Sequence, residues 1–359
     1  MSSHPATPAV SLRGVAKAFN GTPALTDLNV TAPDGQITVL LGPNGAGKTT
    51  AIRIVTGAMS TDSGTVRTLG LDPDADGEEV RHACGVVSAK PALYDRLTGD
   101  DNLRYAAELH GVGKRIIDDR IRNAAGRFGI EHALDQQVGG YSTGMKTRLA
   151  LARSVLHEPT LLLFDEPTSG LDPESAQAVL QLIREMTTDG HTVVMCTHHL
   201  VEAEGLADHV VVLDTGTDLI AGPPAELTRR FWPEDSVEIA VDGAATDPTA
   251  ADIGAVATAV AGVRRVEPSK HGQRVILDDP AITPDVVSAL VGAGHRIRMV
   301  NPHDPTLEEL YFAVRKSARD LGEVPPPPSP DTRLVTAGAA TTGSHSPETP
   351  AMNDEELAR

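Results

Sequence analysis

The stretch that most constrains this chain is the nine-residue segment Gly42-Pro43-Asn44-Gly45-Ala46-Gly47-Lys48-Thr49-Thr50, which directly follows the apolar run 36–41. It satisfies the pattern G-x-x-x-x-G-K-[ST] in full, and a helix-compatible pattern continues over 48–57. Glycines let the backbone curl so that successive N–H groups converge on phosphate oxygens. A helix starting at the same point adds a fractional positive charge. Lys48 is then expected to reach the β- and γ-phosphates of a nucleotide, and Thr49 to set its hydroxyl on Mg2+. A glycine-rich turn with an incidental lysine is the competing reading. The complete motif between a strand and a helix argues against it.

The rest of the chain fits around such a unit. Strand-like runs are expected at 10–13, 25–31, 36–41, 160–164, 192–197, 209–214 and 218–221, with a helix at 174–188 and a short one after residue 197. The run 160–164 is continuously apolar, as a fully buried strand is. Residues 93–157 read as mostly helical, in pieces 102–110, 116–128 and 144–157. Alternating strands and helices with buried strands predict an α/β fold with a mainly parallel core sheet and an inserted helical subdomain. A boundary is expected at 229–235. Beyond it, strand 236–241, helix 249–260, strands 263–267 and 273–277, helix 284–291, strand 296–300 and helix 306–318 give a βαββαβ order compatible with a small ferredoxin-like α+β domain. The expected domains are thus 10–230 and 235–318, after a flexible lead at 1–9 and before a Pro/Thr/Ala/Gly/Ser-rich tail at 322–359 that is too poor in apolar residues to order itself.

Bulk properties remove several classes. The formal net charge of −18 argues against broad attraction to nucleic acid or anionic lipid. Cys84 and Cys196 are the only cysteines and lack metal-ligand spacing, so on their account neither a disulfide framework nor zinc is expected. No run reaches the ~18–20 apolar residues of a spanning helix. The N-terminal residues do not read as a secretory signal.

Two carboxylates, Asp165 and Glu166, end the apolar run, where an aspartate can hold Mg2+ and the next residue can polarise an attacking water. Alone, Asp-Glu after a strand reads as a solvated turn; beside a phosphate loop the chemical reading gains. Tyr141-Ser142-Thr143-Gly144-Met145 with the following 146–153, then Asp165-Glu166-Pro167-Thr168-Ser169-Gly170-Leu171-Asp172-Pro173, then Cys196-Thr197-His198, share their order and spacing with the ATP-binding-cassette (ABC) transporter ATPases. The chain resembles that family over roughly 10–227.

The resemblance implies a P-loop NTPase fold of ABC type, with an N-terminal antiparallel β part. It implies ATP and Mg2+ as ligands, with Thr49 and Asp165 at the metal and Lys48, Glu166 and His198 in catalysis. Phe19 would stack on adenine, with a core phenylalanine as the alternative. Ser142 and Gly144 would bind the γ-phosphate held by a second copy, Asp172 would link the two sites, and His198 rather than His199 would be the switch histidine. Two departures stand out. Thr143 replaces a usual glycine of the signature, and Ala89 in Gly85-Val86-Val87-Ser88-Ala89-Lys90-Pro91 stands where the family has a glutamine. Either Lys90 or a water substitutes there, or hydrolysis is slow.

The implied partners are ATP, a second copy of the chain and a separate integral membrane permease, with no nucleic acid. The implied place is the cytoplasmic face of the membrane, held there by the permease. The ending Thr306-Leu307-Glu308-Glu309-Leu310-Tyr311 is similar to that of multidrug, antibiotic-resistance (daunorubicin-resistance-like) or sodium exporter ATPases, or is simply a terminal packing helix. A regulatory or slow ATP switch and a soluble non-transport ABC ATPase are the alternatives. One cassette, no sustained heptads and the acidic balance weigh against the second.

Overall fold

The structure, a computed structural model, describes residues 7–242, 252–269 and 271–322. The tail expected from 322 lies outside the described residues from 323 onward, as do residues 1–6 of the N-terminal lead. The larger part of the chain runs β1 (Val10–Phe19), β2 (Thr22–Ala32), β3 (Ile37–Leu41), α1 (Lys48–Val55), β4 (Ser63–Thr68), α2 (Gly77–Ala83) and β5 (Cys84–Val87). The helical stretch follows as α3 (Gly99–Leu109), α4 (Ile117–Arg127) and α5 (Thr143–Ser154). Then come β6 (Leu161–Asp165), α6 (Pro173–Thr188), β7 (Thr192–Thr197), α7 (Leu200–Glu204), β8 (His209–Asp214), β9 (Thr217–Gly222) and α8 (Pro224–Phe231).

The strands form one nine-stranded sheet in the order β4-β1-β2-β9-β8-β3-β7-β6-β5. Its pairings from β8 through β3, β7 and β6 to β5 are parallel, while β1 is antiparallel to β2 and β4. The expected parallel core and antiparallel N-terminal part are therefore halves of one mixed sheet. Side chains of a strand alternate between faces, and this alternation sorts the core. Leu162, Phe164, Val193, Met195, Val210 and Val212 join the helical stretch on one face. Leu161, Leu163, Val194, Cys196, Val211 and Leu213 join α1 and the antiparallel strands on the other. Each such fully buried aliphatic side chain stabilises the fold by roughly 1.5–3 kcal/mol.

The antiparallel part is larger than the expected strand 10–13: β1 continues to Phe19, paired along β2 with bulges on the way. Residues 58–92, in which no strand or helix was expected, supply β4, α2 and β5. β4 buries only Val66 and Thr68, and α2 only Val80, so their sequences carry little periodic signal.

The C-terminal elements are β10 (Asp235–Val241), α9 (Ile253–Thr258), β11 (Val263–Pro268), β12 (Gln273–Leu277), α10 (Thr283–Gly292), β13 (Ile297–Pro302) and α11 (Leu307–Asp320). The helix expected at 249–260 has its first residues, 249–251, outside the described residues. The four strands form an antiparallel sheet, β11-β12-β10-β13, the order of a ferredoxin-like fold. Val237, Ile239, Ala257, Val275, Leu277, Val286 and Leu290 make its own small core. α11 does not join that core. Its Leu307, Leu310, Tyr311 and Val314 belong to the apolar cluster of the larger sheet.

Candidate active site

The loop 42–50 connects β3 to α1, and its shape follows from local sterics. Gly47, the N-cap of α1, has φ 100°, and a Cβ there would lie 2.4 Å from Leu25 Cδ2 and 2.9 Å from the Ala24 carbonyl oxygen. Any other residue would have to push β2 away, at a cost added to that of left-handed backbone. Lys48 is 6% exposed; its Nζ donates to the carbonyl oxygens of Gly42 (2.6 Å) and Pro43 (3.1 Å) and sits 3.4 Å from Glu166 Oε1. A cavity of about 360 Å3 opens over the loop, lined by Phe19, Ala24, residues 43–50 and Glu166. Phe19, 43% exposed, stands in that lining and not in the core, so the core-phenylalanine alternative falls away.

Parallel pairing of β6 with β3's neighbour β7 brings two further groups to this end of the sheet. Thr49 Oγ1 donates to Asp165 Oδ2 at 2.7 Å, while buried Asp165 Oδ1 has no hydrogen-bond partner. A buried carboxylate oxygen without a donor is costly. Together with the adjacent hydroxyl it is the oxygen-donor set that suits Mg2+, so the residues fit the metal that the loop implies. Thr49 and Asp165 would hold it, supplying charge neutralisation at the phosphates.

Glu166 follows β6 with φ 53°, left-handed backbone that costs a non-glycine residue roughly 1–2 kcal/mol. Its N–H donates to the Cys196 carbonyl at 2.9 Å, which locks the turn to β7. His198 follows β7, and its Nδ1 lies 2.5 Å from Glu166 Oε2. A carboxylate can only accept, so Nδ1 carries the proton and Nε2 is left for another partner. Glu166 is thus gripped between an ammonium and an imidazole at the mouth of the phosphate loop. A network that sequence reasoning missed stiffens the same turn: Thr168 Oγ1 donates to Glu202 Oε2 at 2.6 Å, across to α7. The Thr-to-Glu separation of 34 residues left no signal to find it.

Ser142, Gly144 and Asp172 are not in the cavity lining. Ser142 is the exposed N-cap of α5, accepting from the Met145 N–H at 3.2 Å. A Cβ on Gly144 would meet nothing nearer than Ser175 Oγ at 3.6 Å, so packing within the chain does not demand glycine there. Thr143 is exposed beside them. Asp172 caps α6 by accepting from the Ser175 N–H at 2.9 Å, and hydrogen bonds from Ser175 hold its carboxyl below the usual range.

A second concavity, of about 820 Å3, runs from Thr49 and Asp165 between α1, β5 and the helical stretch. Ala89 and Lys90 line it, and so do Arg53, Arg81 and Arg153. Among the described residues none of these four cations has a carboxylate partner within 4 Å, although the protein is acidic overall. His110 and His157 stack inside it at 3.8 Å; burial pushes both imidazoles down, His157 to about 4. Their origins in α1, α2, α3, α5 and the residues after β5 explain why the sequence did not reveal this patch.

The ABC transporter family matches residues 25–169, which include the phosphate loop, the signature segment and both carboxylates. The uncharacterized ABC transporter ATP-binding protein YdbJ of Bacillus subtilis (strain 168) is 30% identical over 319 residues, 89% of this chain and 99% of the relative. This chain belongs to the ABC transporter family. The daunorubicin/doxorubicin resistance ATP-binding protein DrrA of Streptomyces peucetius is 31% identical over 308 residues, 86% of this chain and 92% of its own. A solved ATP-binding subunit of an ABC transporter matches with a TM-score of 0.58 at 28% identity, covering 62% of this chain and 93% of that one. The cbiO1 protein of Clostridium perfringens, part of the ABC transporter complex cbiONQ, also scores 0.58 at 28% identity, over 63% and 92%. As an ABC-transporter ATPase the chain binds and hydrolyses ATP, with the ATP and Mg2+ use typical of its family. Among the described residues no helix is long and apolar enough to cross a membrane.

Proposed function

We propose that two copies of this ATPase close on two ATP molecules and drive a separate membrane permease as an exporter. The observation that carries the catalytic part is Glu166, with His198 Nδ1 at 2.5 Å and Lys48 Nζ at 3.4 Å, beside the Thr49–Asp165 pair. In this reading Glu166 accepts a proton from the attacking water, Lys48 and the loop N–H groups hold the phosphates, and His198 holds Glu166 through Nδ1–H beside the γ-phosphate. Phe19 stacks on adenine. Gly144 and Ser142 of one copy meet the γ-phosphate bound by the other, where the N-terminus of α5 favours an anion. Asp172, next to that segment, connects the sites. The absence of any packing need for glycine at 144 supports a role for that open space.

Export is supported by similarity to relatives named for daunorubicin/doxorubicin resistance and for Nod factor export. The cationic groove at Ala89 is the face assigned to the permease, which holds the chain at the inner side of the membrane. Domains 10–230 and 235–318 serve the ATPase and an accessory role respectively, with α11 from the second anchored on the first. Ala89 favours a second, slower version of the same function, in which turnover awaits the permease. Glu166→Gln should keep ATP binding and cut hydrolysis by about 100-fold or more. Turnover that survives this change would sink the assignment. Measuring hydrolysis with and without the co-expressed permease separates a continuous pump from a gated one.

A further inference from the structure

The site holds more nitrogen donors than hydrolysis uses. His199, one residue beyond the switch histidine, has no part in the mechanism above. Yet its ring centroid lies 4.0 Å from that of His198, at 37°, and its N–H donates to Thr197 Oγ1 at 3.0 Å. One ligand atom each from Glu166, His198 and His199 falls within 4.8 Å of the others. We propose that Glu166, His198 and His199 form an inhibitory site for Zn2+ or a similar transition-metal ion.

The donor chemistry selects the ion. Two imidazole nitrogens and one carboxylate oxygen are a tetrahedral zinc set with a fourth position for water. Bonds of about 2.0–2.2 Å bring such ligands to about 3.4 Å apart, which side-chain rotation supplies at this spacing. The backbone side of the site is fixed: the adjacent ends of β6 and β7 set where Glu166 and His198 emerge, and Glu166 is tied to the Cys196 carbonyl. Both histidines are exposed, so the fourth position faces solvent. Mg2+ prefers oxygen ligands and keeps its waters, so it does not compete for the imidazoles. Zinc bound here occupies the carboxylate that would take the water's proton and the ring that holds it beside the phosphate. Hydrolysis then stops while Thr49 and Asp165 are untouched. Binding rests on the geometry alone; the inhibitory effect rests on Glu166 and His198 acting as proposed above.

The test uses the nucleotide-free full chain in competition with a chromophoric zinc chelator, then Mg-ATP hydrolysis at buffered free Zn2+. Wild type should bind one Zn2+ and lose most of its turnover, recovering on addition of chelator. His199→Ala should bind at least tenfold more weakly, hydrolyse at the wild-type rate without zinc, and resist zinc inhibition. His110→Ala, in the distant imidazole stack, should behave as wild type. Equal zinc affinity in wild type and His199→Ala overturns the site. Zinc uptake through His199 without loss of turnover overturns its inhibitory role. Zinc bound through His199 in a protein whose hydrolysis survives Glu166→Gln would instead count against the catalytic reading and leave the metal site standing.

Discussion

Removing the guanidinium of Arg315 should loosen the larger domain without touching its chemistry. Asp214, the last residue of β8, is 3% exposed, and its Oδ2 accepts from Arg315 Nε and Nη2, each at 2.6 Å. The same guanidinium carbon lies 5.4 Å from the centre of the Tyr311 ring. Arg315→Leu keeps the aliphatic packing of α11 and leaves a buried carboxylate without its cation. Breaking a buried pair from one side costs about 3–5 kcal/mol. The Arg315 side chain is 19% exposed, which lets water reach the pair and favours the lower end, about 3 kcal/mol. With a urea slope of about 3 kcal/mol/M, the unfolding midpoint should fall by about 1 M. The single tryptophan, Trp232, packs against the same apolar cluster as α11 and reports the transition by fluorescence. Asp214→Asn combined with Arg315→Leu should recover at least half of the loss, because no charge is then stranded. A midpoint within about 0.2 M of wild type for Arg315→Leu would refute the reasoning. A double variant no better than the single one would show that packing, not charge, had been lost.

Ala89→Gln restores an amide where none exists and should leave hydrolysis intact or raise it; a fall in turnover would mean that Ala89 is itself required. Arg53→Glu with Lys90→Glu, two exposed positions in the groove, should release the co-purified permease while nucleotide affinity stays unchanged, and permease retention would dismiss the groove as its seat. Burial and the neighbouring His110 lower the folded pKa of His157 from the usual 6.5 to about 4, so the unfolded chain binds more protons between those values. Stability should therefore fall as the pH drops from 6.5 towards 4, by roughly 2 kcal/mol after allowing for its partial exposure, and His157→Phe should flatten that slope. An unchanged slope in urea titrations would show that other groups carry it.

Chemistry that is local in sequence was the legible part. The phosphate loop, the Asp165-Glu166 pair and the segment around Ser142 each place their atoms through a few consecutive residues. The β10–β13 order was also readable, since a βαββαβ sequence of elements leaves few ways to pair four strands. β4 and α2 were missed because each buries few side chains and so lacks a period, and β5 because four residues are too few to show one. The apolar face of α11 was visible as a helix, but an amphipathic stripe does not name the surface that covers it. The cationic groove was invisible for a different reason: Arg53, Arg81, Lys90 and Arg153 span about a hundred residues and converge only through the tertiary fold.

The return of α11 to the larger core gives the small domain two anchors rather than one. Residues 235–302 leave the core after α8 and re-enter it at Leu307. A stop codon before residue 306 and an excision of 235–302 bridged by a short linker are therefore different deletions. The first strips Leu310, Tyr311 and Arg315 from the core and strands Asp214, so it should unfold the ATPase. The second keeps that fastening and isolates what the small domain does for transport.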